Sequence, residues 1–473
     1  MPDSFRQLES INELKLVHCG CYQLDFLSEL KHLKYLTVDF WQLVSIQWQT
    51  ASQLHDCLQI KSVYLNYETC HKHCTDGKDI PTVVVDLEEL QHGDINLQYC
   101  HDLFFPSPPD TFKHKYCGDV IKMDLSGSNF RNKTLKIGFS DCHTLLELKV
   151  VFCNVNDRGL ETELLHNLIQ LDISRNESRY YNQDFPEFIF TQDSLRELNM
   201  SNCKLKYVTE KIGQLVSLTH LDLSKNNIRY LPDELCSISS LRWLSLQNNE
   251  LSGLPVGIGS LLSLEYLNVT FNRITNLPLS FRQLSSMNEL KLSHCGCYQV
   301  DFLSEFKQLK DLTVDFWQLV SIPRQTAVQL PEFLQIRTIF LDHKTCPNFA
   351  LEDLQCGLVK PKYCHALSIP SPPADFNYSG NIIKMDLSGS SFVEPTLKIG
   401  YIHTLQELTV VNCDLDLTSN EIELPANLTK LDVSGNHGHL RCIGQQNALQ
   451  KLSASSCALC WLTVEIDLLQ KLT

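Results

Sequence analysis

The residues best suited to metal chemistry lie together at Cys70, His71, His73 and Cys74. Thiolate and imidazole groups are the ligands that Zn²⁺ prefers in proteins. A second copy of this region occurs later in the chain, however, and there the residues after Cys346 are Pro-Asn-Phe, without any ligand. We therefore predict a polar loop after Cys70 and no metal site.

Sequence motifs that mark catalytic sites are missing from the chain. It contains no G-x-x-x-x-G-K-[S/T] phosphate loop, no G-x-S-x-G nucleophile turn and no H-E-x-x-H zinc motif. Closely spaced cysteines such as Cys295 and Cys297 are weak evidence for redox chemistry, because each such pair includes a predicted core cysteine. The sequence thus predicts a protein that is not an enzyme and that needs no cofactor.

Composition restricts the partners and the location of the protein. The 473 residues are 43% hydrophobic and 20% charged, as in an ordinary soluble protein, and the formal net charge is −15. A nucleic-acid partner would require a basic face, so the charge argues against one. No apolar run approaches the roughly 18 residues of a membrane span, and residues 1–16 lack the features of a secretory signal. We expect a cytoplasmic protein.

The elements that position any functional residue are internal repeats of the form L-x-x-L-x-L-x-x-[N/C]-x-[L/I/C]. A fixed period of 20–50 residues is typical of a solenoid. Because one unit cannot bury its own apolar face, neighbouring units must stack to form a continuous core. The most regular units begin, 23 residues apart, at Leu195, Leu218, Leu241, Leu264 and Met287.

Within one unit, the spacing predicts a short strand and a return segment. Leu221 and Leu223 are two residues apart, as on the buried face of a strand, so His220 and Asp222 face outward. Pro232 suits a short helical or extended turn in the return segment. Each unit buries several large apolar side chains, each worth about 1.5–3 kcal/mol before the loss of chain entropy.

The repeat pattern resembles the leucine-rich repeat. This resemblance implies an α/β fold: a right-handed solenoid, or horseshoe, with a parallel β-sheet on its concave face. In that family the side chain at the Asn226 position bonds the backbone of neighbouring coils, and a column of such residues forms a ladder. The return segments L-P-x-x-[I/L/F]-x-x-L-x-x-L look like the intracellular repeats of Scribble-, Erbin-, Ras-suppressor- and Roco-type proteins.

The 20 cysteines are predicted to be reduced core residues. A buried thiol can replace the ladder asparagine, as the pattern allows, and this use of cysteine suits the cytosol. We therefore expect no disulfides. The cysteines assigned to ladder positions are Cys19, Cys70, Cys153, Cys203, Cys295, Cys346, Cys413 and Cys457.

We predict a single solenoid over residues 1–473. Residues 1–194 are irregular repeats with a loop near 100–118, residues 195–297 are regular, and residues 298–473 are irregular repeats that duplicate the first block. The segment DFLSE recurs at an offset of 276 residues, which is 12 times 23. In the first copy Trp41 takes a ladder position, and the units Ile60–Cys70 and Ile336–Cys346 are read as corresponding repeats.

Two further features of the chain remain open at this stage. The chain starts and stops within a repeat, so we expect it to be a fragment of a longer protein. The segments Pro106–Pro109 and Pro370–Pro373 could present a polyproline ligand or a phosphorylation site at Ser107 or Ser371, but a proline-stiffened loop is favoured.

The concave face is the expected binding surface, because strand side chains converge there. Trp243 and Tyr266 occupy the same strand position in successive coils, and neighbouring strands are about 4.8 Å apart. Such an aromatic pair flanked by charges resembles an interface hot spot, although an ordinary solenoid surface also exposes apolar area. The face also carries Asn268, Glu289 and His294. The predicted partner-binding residues are His220, Asp222, Lys225, Trp243, Gln247, Tyr266, Phe271 and Lys291.

The family resemblance implies a non-catalytic scaffold that binds a protein partner, such as a small GTPase or another signalling protein, in polarity or GTPase signalling. Two alternatives stay open. The repeats could be the sensing part of a larger enzyme, such as a Roco-type GTPase or a kinase, or a segment of an innate immune receptor.

Overall fold

The computed structural model describes the two compact units of the chain, Met1–Leu241 and Arg242–Thr473, each considered by itself below. The described residues are 10–17, 21, 23–39, 42–43, 45–54, 57–63, 82–85, 90, 94–96, 120–128, 144–153, 167–176, 185–339, 345–349, 351–360, 369, 380, 382–392, 397–419, 422–438 and 446–457. The predictions for Cys19, Trp41, the Cys70–Cys74 segment, the loop near 100–118 and both proline segments lie outside these residues.

The first unit is built from short strands that follow one another in the sheet. β1 to β3 pair in parallel, and β4 is antiparallel to β3. β5 to β10 form a second parallel series in chain order. The strands are β1 (Glu13–Lys15), β2 (Tyr35–Asp39), β3 (Gln59–Val63), β4 (Thr82–Val85), β5 (Asp94–Asn96), β6 (Lys122–Asp124), β7 (Glu147–Lys149), β8 (Gln170–Asp172), β9 (Glu197–Asn199) and β10 (His220–Asp222).

The second unit repeats this organisation. β11 to β15 are parallel and in chain order, and β16 is antiparallel to β15. A further parallel series has the order β17, β18, β20, β22, β23, and β19 pairs with β21. The strands are β11 (Trp243–Ser245), β12 (Tyr266–Asn268), β13 (Glu289–Lys291), β14 (Asp311–Val314), β15 (Gln335–Ile339), β16 (Thr345–Phe349), β17 (Leu358–Val359), β18 (Lys384–Asp386), β19 (Leu397–Lys398), β20 (Glu407–Thr409), β21 (Ile422–Glu423), β22 (Lys430–Asp432) and β23 (Lys451–Ser453).

The return segments contain short helices, as their sequence predicts. Pro232 and Pro278 stand directly before two of them, where a missing N–H and a fixed φ favour helix entry. The 3-10 helices are Asp25–Glu29, Glu187–Thr191, Glu210–Gln214, Asp233–Ser237, Ile258–Ser260, Leu279–Gln283 and Asp301–Glu305. The α-helices are Trp48–Ala51, Phe316–Val320, Arg324–Gln329 and Leu351–Gln355.

The core of each coil lies between the strand and the return segment. In the coil that contains β10, Leu221 and Leu223 come from the strand side, and Leu235 and Ile238 come from the return side; all four are fully buried. Leu221 lies opposite Leu198 of β9, so the apolar residues of neighbouring coils are aligned. Parallel pairing in constant register therefore stacks equivalent side chains, as expected for a solenoid.

Buried ladder asparagines join neighbouring coils, as predicted. The Asn226 Oδ1 accepts hydrogen bonds from the backbone N–H groups of Cys203 (2.8 Å) and Leu205 (3.1 Å). Its Nδ2 donates to the carbonyl oxygens of Met200 and Leu223, both at 2.9 Å. The side chain thus satisfies backbone groups of two coils that would otherwise be buried without partners.

Cysteines occupy the same ladder position in other coils, again as predicted. The thiols of Cys153, Cys203 and Cys413 donate to carbonyl oxygens of the preceding coil at 3.0, 3.3 and 3.2 Å. Burial raises the pKa of both the Cys153 and the Cys203 thiol to about 12. These cysteines are free thiols in the structure and stay protonated near neutral pH.

Glutamine forms the ladder bonds in the two copies of the D-F-W-Q sequence, which the repeat pattern did not indicate. Trp317, the equivalent of Trp41 in the second copy, is buried in the helix Phe316–Val320. Gln318 instead donates from Nε2 to the carbonyl oxygens of Leu292 (3.0 Å) and Cys297 (2.9 Å). In the first copy, Gln42 donates in the same way to Leu16 and Cys21.

The predicted register of two repeats is wrong. The pattern places Ile336 first in its own repeat. In the structure Ile336 pairs with Leu312, which is the fourth residue of the preceding repeat, so Ile336 itself occupies a fourth position. Ile60 is likewise paired with Leu36. Ile336 and Ile339 reproduce the three-residue spacing of the first two repeat leucines, so the pattern could be matched three residues out of place. Cys346 consequently lies in the antiparallel strand β16 and not at a ladder position.

Candidate protein-binding surface

The predicted surface residues fall in both units. His220, Asp222 and Lys225 belong to the first unit, and the other five belong to the second. In β10, β11 and β12 the second residue fills the core, and the first and third residues lie on the opposite side of the strand. The third residue is half-buried in β10 and buried in β11 and β12. We call the side opposite the core the outer face and treat the two units separately.

In the first unit the outer face of β10 is polar. His220 is exposed and lies opposite Glu197 of β9, and its Nδ1 is 2.9 Å from the Thr219 hydroxyl. Lys225 is exposed in a left-handed backbone turn with φ 58°. These side chains therefore project outward without forming an apolar patch.

Asp222 has a structural role that its sequence position did not reveal. Its Oδ1 accepts a hydrogen bond from the backbone N–H of Ser224 at 2.9 Å, which closes a turn at the end of β10. Asp124, Asp172 and Asp432 make the equivalent bond in other coils. The recurrence indicates that this carboxylate terminates the strand, whether or not a partner also contacts it.

An aromatic pair dominates the outer face of the second unit. Trp243 of β11 lies directly opposite Tyr266 of β12 in the parallel register. Their ring centroids are 4.8 Å apart and the ring planes differ by only 8°. Both side chains are half-buried. The two rings therefore stack side by side, as the repeat spacing predicted.

The Tyr266 hydroxyl belongs to a hydrogen-bonded cluster that links the coils of β11, β12 and β13. It accepts from Asn268 Nδ2 and from Lys291 Nζ, each at 3.4 Å. Asn268 Nδ2 also donates to Gln247 Oε1 at 3.2 Å. These contacts bring three predicted residues, Gln247, Tyr266 and Lys291, into one cluster and add Asn268 to it.

Lys291 is held over the aromatic pair by an adjacent carboxylate. Its Nζ lies 2.8 Å from Glu289 Oε1 and 5.1 Å from the centroid of the Tyr266 ring. Burial lowers the pKa of Lys291, but the hydrogen bonds and charges of Glu289 and Tyr266 outweigh burial and raise the pKa above its ordinary value. Lys291 is therefore a fixed cation at the edge of the aromatic pair.

A second aromatic pair lies where the strands end. The rings of Phe271 and His294 have centroids 4.4 Å apart and an interplanar angle of 18°. Both residues have a left-handed backbone, with φ 55° and 56°. The same turn position is left-handed in other coils, at Phe152, Arg175 and Lys225, so this conformation is a feature of the repeat.

Three residues that the sequence placed on the concave face of the second unit were not among the eight selected, and one of them, Asn268, is buried. Asn268, Glu289 and His294 lie on the same outer face and link or position the selected residues. The sequence could have indicated Asn268, because it occupies the same repeat position as the selected Lys291, which follows 23 residues later.

Comparison with protein families agrees with the repeat geometry. The family model described as "Leucine-rich repeat region" matches residues 183–369, and the model described as "Leucine Rich repeat" matches residues 141–162. Residues 141–162 and 183–369 of the chain are therefore leucine-rich repeats. The fold of the chain is a leucine-rich-repeat solenoid with parallel β-sheet strands, and such repeats are in general protein-interaction modules.

Leucine-rich-repeat structures from bacteria and plants are similar to the chain at low sequence identity. A protein of Leptospira interrogans is 20% identical, with 82% of this chain and 91% of that chain covered and a TM-score of 0.40. The ectodomain of a membrane receptor kinase from Arabidopsis thaliana is 16% identical, with 95% and 59% covered and a TM-score of 0.42. No curated protein sequence matches the chain significantly.

The described part of the chain has neither a membrane-spanning helix nor a cluster of metal ligands. Its helices are all too short or too polar to cross a membrane. Over the same residues, no group of three or more His, Cys, Asp or Glu side chains could hold a metal ion.

Proposed function

We propose that the chain is a non-catalytic binding module that holds a protein partner on the outer face of β11 to β13. The observation that carries the proposal is the stacked Trp243–Tyr266 pair beside Lys291. Large aromatic side chains on a pre-formed surface contribute strongly to interfaces, because they bury much area and lose little conformational freedom.

The surface is rigid enough for this role. Trp243 and Tyr266 project from paired strands, and Leu244 and Leu267 beneath them are fully buried. Side chains fixed by regular secondary structure lose less entropy on binding than side chains on loops. The aromatic pair is therefore pre-organised for a partner.

The proposed partner is a small GTPase or another signalling protein in the cytoplasm. The L-P-containing return segments, realised here as Pro232 and Pro278 before 3-10 helices, support the resemblance to intracellular signalling repeats. Buried free thiols such as Cys153 and Cys203 suit a reducing compartment. The formal net charge of −15 further favours a protein partner over a nucleic acid, because a nucleic acid is itself negatively charged.

A capture experiment with matched variants tests the proposal. The wild-type chain, Trp243→Ala and Tyr266→Ala would each be used to capture proteins from cells that express the chain, followed by mass spectrometry. Tyr230→Ala is the control, since Tyr230 is an exposed tyrosine (68% exposed) away from the strands. Circular dichroism would establish that each variant is folded.

We expect a defined set of proteins to be captured by the wild type and by Tyr230→Ala and to be lost from both aromatic variants. Truncation of a central aromatic residue in an interface commonly costs about 2 kcal/mol or more, or roughly 30-fold in affinity. Capture of the same set by all four folded proteins would refute a binding role for this surface.

A further inference from the structure

A cavity of about 230 Å³ lies in the first unit, between the 3-10 helix Asp25–Glu29 and the segment that follows the α-helix Trp48–Ala51. Five leucines form most of its wall, and each of them is at most 6% exposed. None of the residues in the wall belongs to a strand, so the cavity is separate from the outer face. The five residues are Leu27, Leu30, Leu33, Leu54 and Leu58.

Three polar residues complete the wall on the side of the solvent. Ser28 is half-buried, and Lys31 and Gln53 are exposed. The Ser28 hydroxyl donates to the carbonyl oxygen of Asp25 at 2.8 Å. Among the described residues, neither the Lys31 ammonium nor the Gln53 carboxamide has a hydrogen-bond or ion-pair partner. Glu29 is close to Lys31 in sequence but is not part of the wall. The mouth of the cavity therefore offers an unpaired cation and an amide donor.

The duplicated coil in the second unit differs at one of these eight positions. At the offset of 276 residues, the other seven residues of the wall are identical, and Lys31 corresponds to Lys307. The exception is Phe306, which takes the place of Leu30 and is fully buried. The coil can therefore accommodate a ring at this position, and the first copy places a smaller side chain there.

The size and the lining of the cavity suit a short hydrocarbon chain. An apolar protein cavity of about 150 Å³ holds one benzene molecule, so the present cavity has space for roughly eight or nine carbon atoms. An empty apolar cavity lacks dispersion contacts on one side of its wall, and a ligand that fills the space supplies them. A polar ligand of this size would instead lose its hydrogen bonds to water among the leucines.

From these contacts we propose that the cavity binds a medium-chain carboxylate, with its hydrocarbon chain among the five leucines and its carboxylate at Lys31 and Gln53. A carboxylate is favoured over a neutral head group because Lys31 is an unpaired cation among the described residues, and hydrogen bonds between charged groups are the stronger ones. The site goes beyond the proposed function and does not depend on it, since the protein-binding surface belongs to the second unit.

Isothermal titration calorimetry of octanoate into the intact chain tests the proposal. We expect saturable binding that weakens by about three- to fourfold for each methylene removed, through hexanoate to butyrate, because each buried methylene contributes a similar amount. Acetate has the head group alone and should not bind measurably. Octanol has a chain of the same length without a charge and should bind about threefold more weakly, since an ion pair near solvent contributes little.

Two variants place the ligand in the cavity. Leu30→Phe introduces the residue of the second copy and should weaken octanoate binding by about tenfold or more, because the ring takes up space that the ligand needs. Lys31→Met should weaken octanoate binding by about threefold and leave octanol binding unchanged. Lys34→Met is the matched control, because Lys34 is also exposed but is not part of the wall. Circular dichroism would establish that the variants are folded.

The outcomes that contradict the inference are distinct from those that contradict the proposed function. Absence of octanoate binding would overturn the inference, as would equal binding of octanoate by the wild type and the folded Leu30→Phe variant. Octanol bound as tightly as octanoate would overturn the assignment of a carboxylate. If octanoate does not bind but Leu30→Phe loses captured cellular proteins, the cavity receives a side chain of a protein partner, and the inference is again overturned.

Discussion

The coils of β10 and β12 have the same framework and different outer faces. Each has a buried leucine in the middle of its strand, a left-handed residue after the strand and a buried ladder asparagine. The framework residues are Leu221 and Asn226 in one coil and Leu267 and Asn272 in the other. The outer residues at equivalent positions are His220, Asp222 and Lys225 in the first coil and Tyr266, Asn268 and Phe271 in the second.

This difference shows that folding and recognition use separate sets of residues in one repeat. The framework side chains contact other coils or their own return segment, so their types are restricted by packing and by backbone hydrogen bonds. The outer side chains are restricted much less, and in the β12 coil they form the aromatic surface. Substitutions should therefore separate stability from binding in a predictable order.

The largest effect is expected from Asn226→Ala and Asn272→Ala, which should each lower the free energy of unfolding by about 2–4 kcal/mol. Both substitutions leave buried backbone groups without partners, among them the carbonyl oxygens of Met200 and Val269. Urea unfolding followed by circular dichroism would measure this. Asn276→Ala, at an exposed asparagine, should change stability by less than about 0.5 kcal/mol. A ladder variant as stable as this control would break the proposed equivalence of the two coils.

An intermediate effect is expected at the left-handed position. Phe271→Asn relieves an unfavourable backbone conformation but loses the stacking with His294. Because these two effects oppose each other, the free energy of unfolding should change by no more than about 1 kcal/mol. Partner capture should fall nevertheless. Lys225→Asn, at the equivalent position, should alter neither stability nor capture appreciably. A loss of more than about 2 kcal/mol in Phe271→Asn would show that Phe271 belongs to the framework.

The smallest effect is expected at Asp222, where carboxylate and amide can be compared. Asp222→Asn keeps an oxygen that accepts from the Ser224 N–H, so its free energy of unfolding should stay within about 0.5 kcal/mol of the wild-type value. Asp222→Ala removes this acceptor and should lower the free energy of unfolding by about 1 kcal/mol. Capture by Asp222→Asn should equal that of the wild type. Reduced capture by this variant would instead place the carboxylate in direct contact with the partner.

Sequence reasoning worked where the repeat was regular. The 23-residue period predicted the buried leucines and the adjacency of Trp243 and Tyr266, because parallel strands in constant register bring equivalent positions together. The ladder role of Asn226 was implied by the family resemblance. The repeat pattern was wrong for Ile336 and Cys346, where apolar residues three apart imitate the start of a repeat and the structure instead forms an antiparallel pair.

The ladder role of Gln318 needed the tertiary structure. A helix from Phe316 to Val320 interrupts the coil and displaces the ladder position by one residue. Asp315 and Gln318 stabilise its start through reciprocal hydrogen bonds at 2.9 and 3.0 Å. A pattern that counts residues at a fixed spacing cannot detect such a change.

The sequence by itself determined the repeating framework of this protein, because burial of leucines and pairing of backbone groups depend on local spacing. Only the tertiary structure decided which outer side chains act together. The bonds of the Tyr266 hydroxyl to Asn268 and Lys291 join residues 2 and 25 positions apart. Their geometry depends on side-chain conformations that are set when neighbouring coils pack, and a one-dimensional pattern contains no record of it.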